Sequence, residues 1–311
     1  MKSGFVALIG KPNAGKSTLL NTLLGEKISI TTHKAQTTRN SILGILNEDD
    51  YQIIFIDTPG IHEASTSLGT YMNKEAMSQA AGVDVICYLV DGKKGLQEDD
   101  DEILQKLSSY EVPIFLLLNK IDELDNQTVI KRLAFASSKY QFSEIIPISA
   151  KNSDNIDEFL SSVKTYLNDG IQYYPSDMKT NVNLNFQISE IIREKVILNT
   201  RQEVPHLVAC KVEEVKEKES KVFIEASIIC NKQAHKGIII GRNGSMLKKI
   251  NDNASTDIAK LFDNKKIILS LFVKVEEDWL NQSKKLFDLG YFSGDKDEWQ
   301  SKWFCLINSR L

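Results

Sequence analysis

Four short motifs in the first half of the chain carry residues that could do chemistry. Gly10-Lys11-Pro12-Asn13-Ala14-Gly15-Lys16-Ser17-Thr18 has the spacing of a phosphate-binding loop, a glycine and four residues before Gly-Lys-Ser. Gly10 and Gly15 permit a tight turn whose amide N–H groups point inward at phosphate oxygens. Lys16 then reaches the outer phosphates and Ser17 offers a hydroxyl to a bridging magnesium ion. A helix running on from Lys16 turns its positive end toward the same anion. Asp57-Thr58-Pro59-Gly60 places a carboxylate near magnesium and a glycine N–H near the terminal phosphate. Asn119-Lys120-Ile121-Asp122 is the discriminating motif. The Asp122 carboxylate can accept two hydrogen bonds from the ring N–H and amino group of guanine, a pattern adenine lacks. Asn119 and Lys120 would brace that loop and cover the ring, and the backbone of Ser149-Ala150-Lys151 could bind the guanine oxygen.

These side chains need strands that end where they begin. Strand patterns run over Phe5–Gly10, Ser41–Leu46, Tyr51–Ile56, Val83–Val90, Ile114–Leu118 and Ile145–Ile148. Helical periods fall at Ser17–Leu24, stopped by Gly25, and at Glu98–Ser109, Gln127–Lys139 and Asn155–Leu167. Each motif sits at the C-terminal end of a strand, where open α/β sheets hold their ligands. The prediction is an α/β fold over residues 1–169: a P-loop GTPase domain with a mostly parallel sheet. Two polar stretches, Glu26–Asn40 and Ile61–Thr70, are expected to be mobile. The first carries Thr38, a third candidate magnesium ligand beside Ser17 and Asp57, with Thr37 as the alternative. Lys16, Thr38, Gly60 and Asn13 are the residues expected to act on the terminal phosphate. Ile61 occupies the place where Ras-like switches hold a water-orienting glutamine, so intrinsic hydrolysis is expected to be slow. This half resembles the GTPase domain of the translation-factor-related family, which implies GTP or GDP with Mg2+. By resemblance to related GTPases Asn13 could hold K+ beside the phosphates, or merely brace the loop.

After a linker at 170–178, containing Gly170 and Pro175, a second domain spans 179–290. Its pattern is a helix over Asn185–Ile197, strands at Leu207–Val215 and Lys221–Cys230, a short helix at Ala234–Ile240, a helix to Phe262 and a strand at Ile267–Val275. Gly241-Arg242-Asn243-Gly244 separates the last two helices. A GxxG framed in this way has the order of an α+β KH-type (α-β-β-α-α-β) RNA-binding domain. Two glycines would let a nucleic-acid backbone approach, and Arg242, Lys248 and Lys249 supply charge.

A GTPase domain followed by this module resembles the Era GTPases over nearly the whole chain. Gln36–Asn40 (QTTRN) looks like the family's switch I, and Ser189–Lys195 (SEIIREK) and Lys236–Gly241 (KGIIIG) look like its second-domain signatures. The resemblance implies GTP hydrolysis, binding to the 3′ end of small-subunit ribosomal RNA, a role in small ribosomal subunit assembly, and association with the inner face of the membrane. Two features depart from the family. The chain continues past Leu289-Gly290-Tyr291 through Trp299, Trp303 and Phe304, making 291–311 an extension expected to pack on the second domain. Asn251-Asp252-Asn253 stands where relatives carry glycine nearby.

Composition bounds the alternatives. The 311 residues suggest two domains, with 42% hydrophobic and 26% charged residues, as in an ordinary globular protein. No apolar run approaches the ~18 residues of a spanning helix, and the apolar N-terminal run is too short for a signal peptide. A cytoplasmic protein without a transmembrane segment is expected. The four cysteines and four histidines are scattered, without metal-ligand spacing. The net charge of −4 is carried by the first half, while the second is slightly basic, which permits a polyanion partner without demanding one. Two further classes compete with a hydrolysing switch: a nucleotide-gated RNA-binding protein with negligible turnover, and a membrane-associated signalling GTPase, the latter disfavoured by a C-terminus lacking a prenylation box.

Overall fold

The computed structural model describes residues 1–32, 37–201 and 203–291. Among the described residues the chain divides into two compact units, 1–63 with 72–182, and 64–71 with 183–291.

In the first unit the strands are β1 (Lys2–Gly10), β2 (Ile42–Asn47), β3 (Tyr51–Asp57), β4 (Val85–Asp91), β5 (Ile114–Asn119) and β6 (Glu144–Ile148), in spatial order β2-β3-β1-β4-β5-β6. Only β2 runs antiparallel within that order. β1, β3 and β4 are apolar without alternation and buried nearly throughout, as strands covered on both faces must be. Helices α1 (Lys16–Leu24), α3 (Glu98–Ser108), α4 (Asn126–Lys139) and α5 (Ile156–Tyr166) lie between or after these strands, and α2 (Ser67–Ser78) enters this unit at Met72, its first turn belonging to the 64–71 segment of the other. Register sets the strand ends level. Leu8 pairs with Asp57, Gly10 with Leu89, Asp91 with Asn119, and Asn119 with Ile148, so all four motifs emerge along one edge.

The stretch Ile61–Thr70, read from its polarity as mobile, requires a correction, because α2 begins inside it at Ser67. Thr66 caps that helix, its hydroxyl accepting the Gly69 N–H, and Leu68, Met72 and Ala76 repeat every four residues as its buried stripe. Residues 168–182 lie along the first unit. Asn168–Asp169 form β7 against the start of β1, the Gln52 side-chain oxygen accepts the Tyr173 and Tyr174 N–H groups, and the Lys179 carbonyl accepts the Ile45 N–H.

The second unit packs α6 (Leu184–Asn199) and α8 (Ser245–Ala259) on one face of a three-stranded sheet, order β10-β9-β8. β8 (Val208–Glu217) is antiparallel to β9 (Lys221–Cys230), and β10 (Lys266–Val275) is parallel to it. Ile188, Ile192 and Val196 of α6 meet Ile250, Ala254 and Ile258 of α8 in its core. α7 (Gln233–Ile240) precedes the GRNG turn. The segment SEIIREK is structural. Ser189 Oγ accepts the Val212 N–H at the β8 bulge, Arg193 is fully buried against Glu190, and Lys195 joins Glu194 to Asp257 of α8. Beyond β10, Trp279 donates from its indole nitrogen to the Leu207 carbonyl and stacks on Tyr291, ahead of and after α9 (Ser283–Asp288). Gln36 of the QTTRN stretch and the extension past Tyr291 lie outside the described residues. Among the described residues no helix is long and apolar enough to cross a membrane.

Candidate nucleotide site and nucleic-acid interface

The loop between β1 and α1 turns through two residues with positive φ, Asn13 at 64° and Gly15 at 100°. Any side chain at 15 would overlap Asn119 Nδ2, so the glycine is demanded by close approach as well as by conformation. Gly15 is the N-cap of α1 and no side chain caps the helix, which leaves its first-turn N–H groups directed at the loop interior. Lys16 is buried there, donating to the Gly10 carbonyl at 3.0 Å and the Lys11 carbonyl at 3.2 Å. Burial lowers its ammonium to about 8, with Asp57 opposing the shift. Lys11 turns outward to Asp99 and Asp100 at the N-terminus of α3.

Asp57, at the end of β3, has no exposed surface. Its Oδ2 accepts from Ser17 Oγ at 2.7 Å, Ser29 Oγ at 2.9 Å and Thr38 Oγ1 at 3.3 Å, and Ser17 and Thr38 lie 2.8 Å apart. Burial pushes the carboxyl up, while the Lys16 charge and the three hydroxyls pull it down. The other oxygen, Oδ1, is buried without a hydrogen-bond partner. A carboxylate with one orphaned oxygen beside two convergent hydroxyls suits a hard cation whose remaining ligands are waters and phosphate oxygens, and so fits magnesium. Of the two threonines, Thr38 reaches this cluster, whereas Thr37 meets Thr32.

The rest of Asp57-Thr58-Pro59-Gly60 ties β3 to β1 and to the phosphate loop. The Thr58 hydroxyl donates to the Leu8 carbonyl at 2.7 Å, so it ties β3 to β1 instead of facing the loop. Gly60 lies against Pro12, where an added Cβ would approach Pro12 Cα to 2.8 Å. His62, not singled out from sequence, has Nδ1 2.9 Å from the Gly60 carbonyl, and Asn73 grips its main chain on both sides.

Asn119 joins three motifs. Its Nδ2 donates to the Ala14 carbonyl at 2.8 Å, and its Oδ1 accepts the Lys120 N–H at 2.8 Å and the Ala150 N–H at 3.0 Å. Lys120, at φ 67°, pairs with Asp91 at 2.6 Å. Ser149 Oγ donates to Asp122 Oδ1 at 2.7 Å and fixes the carboxylate's plane. Lys151 is exposed. Ser29 and Ser149 Oγ are site hydroxyls that sequence reasoning missed; both bond residues far away in the chain.

In the second unit Gly241 has φ 71° and ψ 175°, and a Cβ there would come within 2.6 Å of Met246 Cβ and 2.9 Å of its nitrogen. Its glycine is therefore required by the protein's own turn, whatever else approaches it. Gly244, φ 75°, faces open space. Arg242, Asn243, Lys248 and Lys249 are exposed around it. Asn251 donates to the Leu269 carbonyl of β10 at 2.7 Å, so the departure at 251 secures α8 to the sheet edge.

A phosphate-loop domain with base-reading and cation-binding motifs at one sheet edge, followed by a helix-GxxG-helix module on a three-stranded sheet, defines a GTPase carrying a KH domain. Comparison with known proteins agrees. A 50S ribosome-binding GTPase family matches residues 5–120 and the KH domain family matches 203–280. GTPase Era of Clostridium kluyveri is 46% identical over 292 residues, covering 94% of this chain and 99% of that protein. The crystal structure of Era with MgGDPNP and nucleotides 1506–1542 of 16S ribosomal RNA superposes with a TM-score of 0.92 at 38% identity, covering 94% of this chain and 100% of that one. A variant of Aquifex aeolicus Era bound to GDP and tetrafluoroaluminate gives a TM-score of 0.91, also at 38% identity and with the same coverage. The chain belongs to the Era GTPase family.

Proposed function

We propose that this protein is a GTP-hydrolysing switch that binds the 3′ end of small-subunit ribosomal RNA through its KH domain and assists assembly of the small ribosomal subunit. The observation that carries the nucleotide half is the convergence of Ser17, Thr38 and Asp57 oxygens beside the buried Lys16 ammonium, on the edge where Asn119 links the phosphate loop to Asp122. The RNA half is supported by the exposed Gly244 turn and by the 16S fragment held by the solved Era relative.

Within the first unit the residues divide the work. The loop N–H groups and Lys16 hold the phosphates, Asp122 and the Ser149–Lys151 segment read guanine, and Ser17, Thr38 and Asp57 would hold magnesium directly or through water. A magnesium ion there would neutralise charge on the phosphates during transfer to water. Thr38 belongs to the Glu26–Asn40 segment, so its attachment beside the terminal phosphate couples nucleotide state to that segment. Ile61 offers no polar atom to the attacking water, so turnover without a partner is slow. Asn13, exposed at the loop's turn, is the residue through which K+ would speed hydrolysis; faster turnover in potassium than in sodium, lost in Asn13→Ala, is the expected result.

The deciding experiment is copurification with small ribosomal subunits, with and without nuclease, together with titration of an RNA matching the 16S 3′ end in GTP-analogue and GDP states. Failure to bind that RNA in either state would overturn the assembly role. We place the protein in the cytoplasm with its ribosomal partner. Flotation with acidic-lipid vesicles tests the family's association with the inner membrane face.

A further inference from the structure

Asn21 and Ser17 are one turn apart on the same face of α1, and both reach Asp57, Ser17 directly and Asn21 through Ser29. Asn21 Oδ1 accepts the N–H groups of Ile28 and Ser29, each at 2.9 Å, and its Nδ2 donates to the Ser29 carbonyl at 2.7 Å. Three hydrogen bonds from one side chain thus clamp the backbone of residues 28–29. The Ser29 side chain, 1% exposed, then has its hydroxyl 2.9 Å from Asp57 Oδ2.

We propose that Ser29, held by Asn21, is the positioning residue that keeps the Asp57 carboxylate aimed at magnesium. The inference rests on the magnesium reading of Ser17, Thr38 and Asp57. Of the three hydroxyls on Asp57 Oδ2, those of Ser17 and Thr38 are the ones whose lone pairs a cation would engage while their protons stay on the carboxylate, and Thr38 is the more distant, at 3.3 Å. Ser29 is the third donor, and its backbone is tied to α1 by a link that does not pass through residues 37–40. It therefore keeps its bond to Asp57 whichever way Thr38 moves. The carboxylate is fully buried with Oδ1 unpartnered, so losing the Ser29 hydroxyl leaves Ser17 as its one side-chain donor whenever Thr38 withdraws, and its plane is then poorly determined.

The test is magnesium linkage of nucleotide affinity, measured with fluorescent GDP and a nonhydrolysable GTP analogue across a magnesium titration and in EDTA. In Ser29→Ala the magnesium concentration giving half of the affinity gain should rise roughly fivefold to tenfold, the loss of one hydrogen bond to a charged group. Affinity in EDTA should stay within about twofold of the parent, because no phosphate or base contact is removed, and a merely structural role would lower it. Ser29→Thr keeps a donor and should restore the parental midpoint; Asn21→Ala should shift it in the same direction as Ser29→Ala. A parental magnesium midpoint in Ser29→Ala, or an equal loss of affinity with and without magnesium, overturns the assignment. Ser17→Ala separates the two levels: if it too leaves the magnesium midpoint unmoved, the cation reading itself fails.

Discussion

Asn119 occupies the space that a side chain on Gly15 would need, and from that position it donates to the carbonyl of Ala14. The phosphate loop and the base-reading loop are therefore one mechanical piece. Asn119→Ala removes a donor and an acceptor at 2% exposure, leaving the Ala14 carbonyl and the Lys120 and Ala150 N–H groups to find other partners. Affinity for GTP and GDP should fall together, by about 10² or more, since two to three buried hydrogen bonds at ~1 kcal/mol each or more are lost. Calorimetric titration of both nucleotides checks this. A loss confined to one nucleotide would show that Asn119 senses the terminal phosphate instead of joining loops.

Asp122→Asn should transfer preference from guanine to xanthine nucleotides, because the amide presents a donor where xanthine carries an oxygen. Ser149→Ala leaves the carboxylate in place but unbraced, and should weaken GDP binding about fivefold without changing the base preferred, as removal of one hydrogen bond to a charged group. Competition between GDP, xanthosine diphosphate and ADP distinguishes the two effects.

Lys16 gives a pH dependence whose sign is set by its burial. Its pKa is lowered from 10.5 to about 8, so protein without nucleotide sheds this proton above pH 8. Phosphate oxygens would hold the ammonium charged, so binding takes up a proton there, and affinity should fall with pH above 8 by up to about tenfold per unit. Below that it should be level. For folding of the nucleotide-free protein the folded pKa lies under the unfolded one, so this lysine's cost to stability is full below about 8 and is relieved as pH rises toward 10.5. GDP titrations in buffers of different ionisation enthalpy measure the proton uptake. A flat affinity from pH 7 to 9.5 would mean that Lys16 stays charged.

Much of this architecture is legible in the sequence because it is written locally. The apolar runs that become β1, β3, β4 and β5, the Gly-Lys-Ser at the head of α1, and the GRNG turn each carry their signal within a dozen residues. Helix α2 was hidden because Gly69 and its polar neighbours mask a stripe of only three apolar residues. The attachment of residues 168–182 to the sheet could not be read, since it depends on Gln52, more than a hundred residues away. The same holds for Ser29. A serine in a polar stretch has no distinguishing spacing, and only the fold brings it to Asp57. Gly241 shows the converse: its type was legible, but the reason for it, contact with Met246, was not.

Glu190 and Arg193 form a bidentate pair one turn apart on α6, at 2.7 and 2.5 Å, with the guanidinium fully buried. Burial alone would lower the arginine, and the Glu190 carboxylate keeps it charged. Glu190→Ala should therefore destabilise the KH domain by about 3–5 kcal/mol, the cost of a buried charge stripped of its partner. Urea unfolding followed by tryptophan fluorescence suits the measurement, because Trp279 lies in this unit. GDP affinity in the first unit should be unchanged under conditions where both units are folded.

The two glycines of the GRNG turn should separate folding from RNA binding. Gly241 holds a backbone conformation that side chains avoid and is crowded by Met246, so Gly241→Asp should cost stability before any RNA is added. Gly244 also has positive φ, but a Cβ there meets nothing within 4 Å, and aspartate is among the residues that tolerate this region. Gly244→Asp should melt close to the parent and fail to bind the RNA, because in the proposed clamp the new carboxylate would meet the phosphate backbone. Gly244→Asn, which has the shape without the charge, should retain part of the affinity at moderate salt. Arg242→Ala and Lys248→Ala should each weaken binding to all single-stranded RNAs and reduce the slope of log affinity against log salt by about 0.7, the single-strand value for one phosphate contact. If RNA affinity differs between GTP and GDP states, RNA must shift the relative affinities of the two nucleotides by the same factor. Fluorescence anisotropy with an RNA matching the 16S 3′ end, across a salt series, measures the binding terms; thermal melting measures the stabilities, and nucleotide titration with and without RNA measures the linkage. Parental binding by a folded Gly244→Asp variant would show that the turn lies off the RNA path, and the KH domain's contact would then have to be sought elsewhere on the second unit.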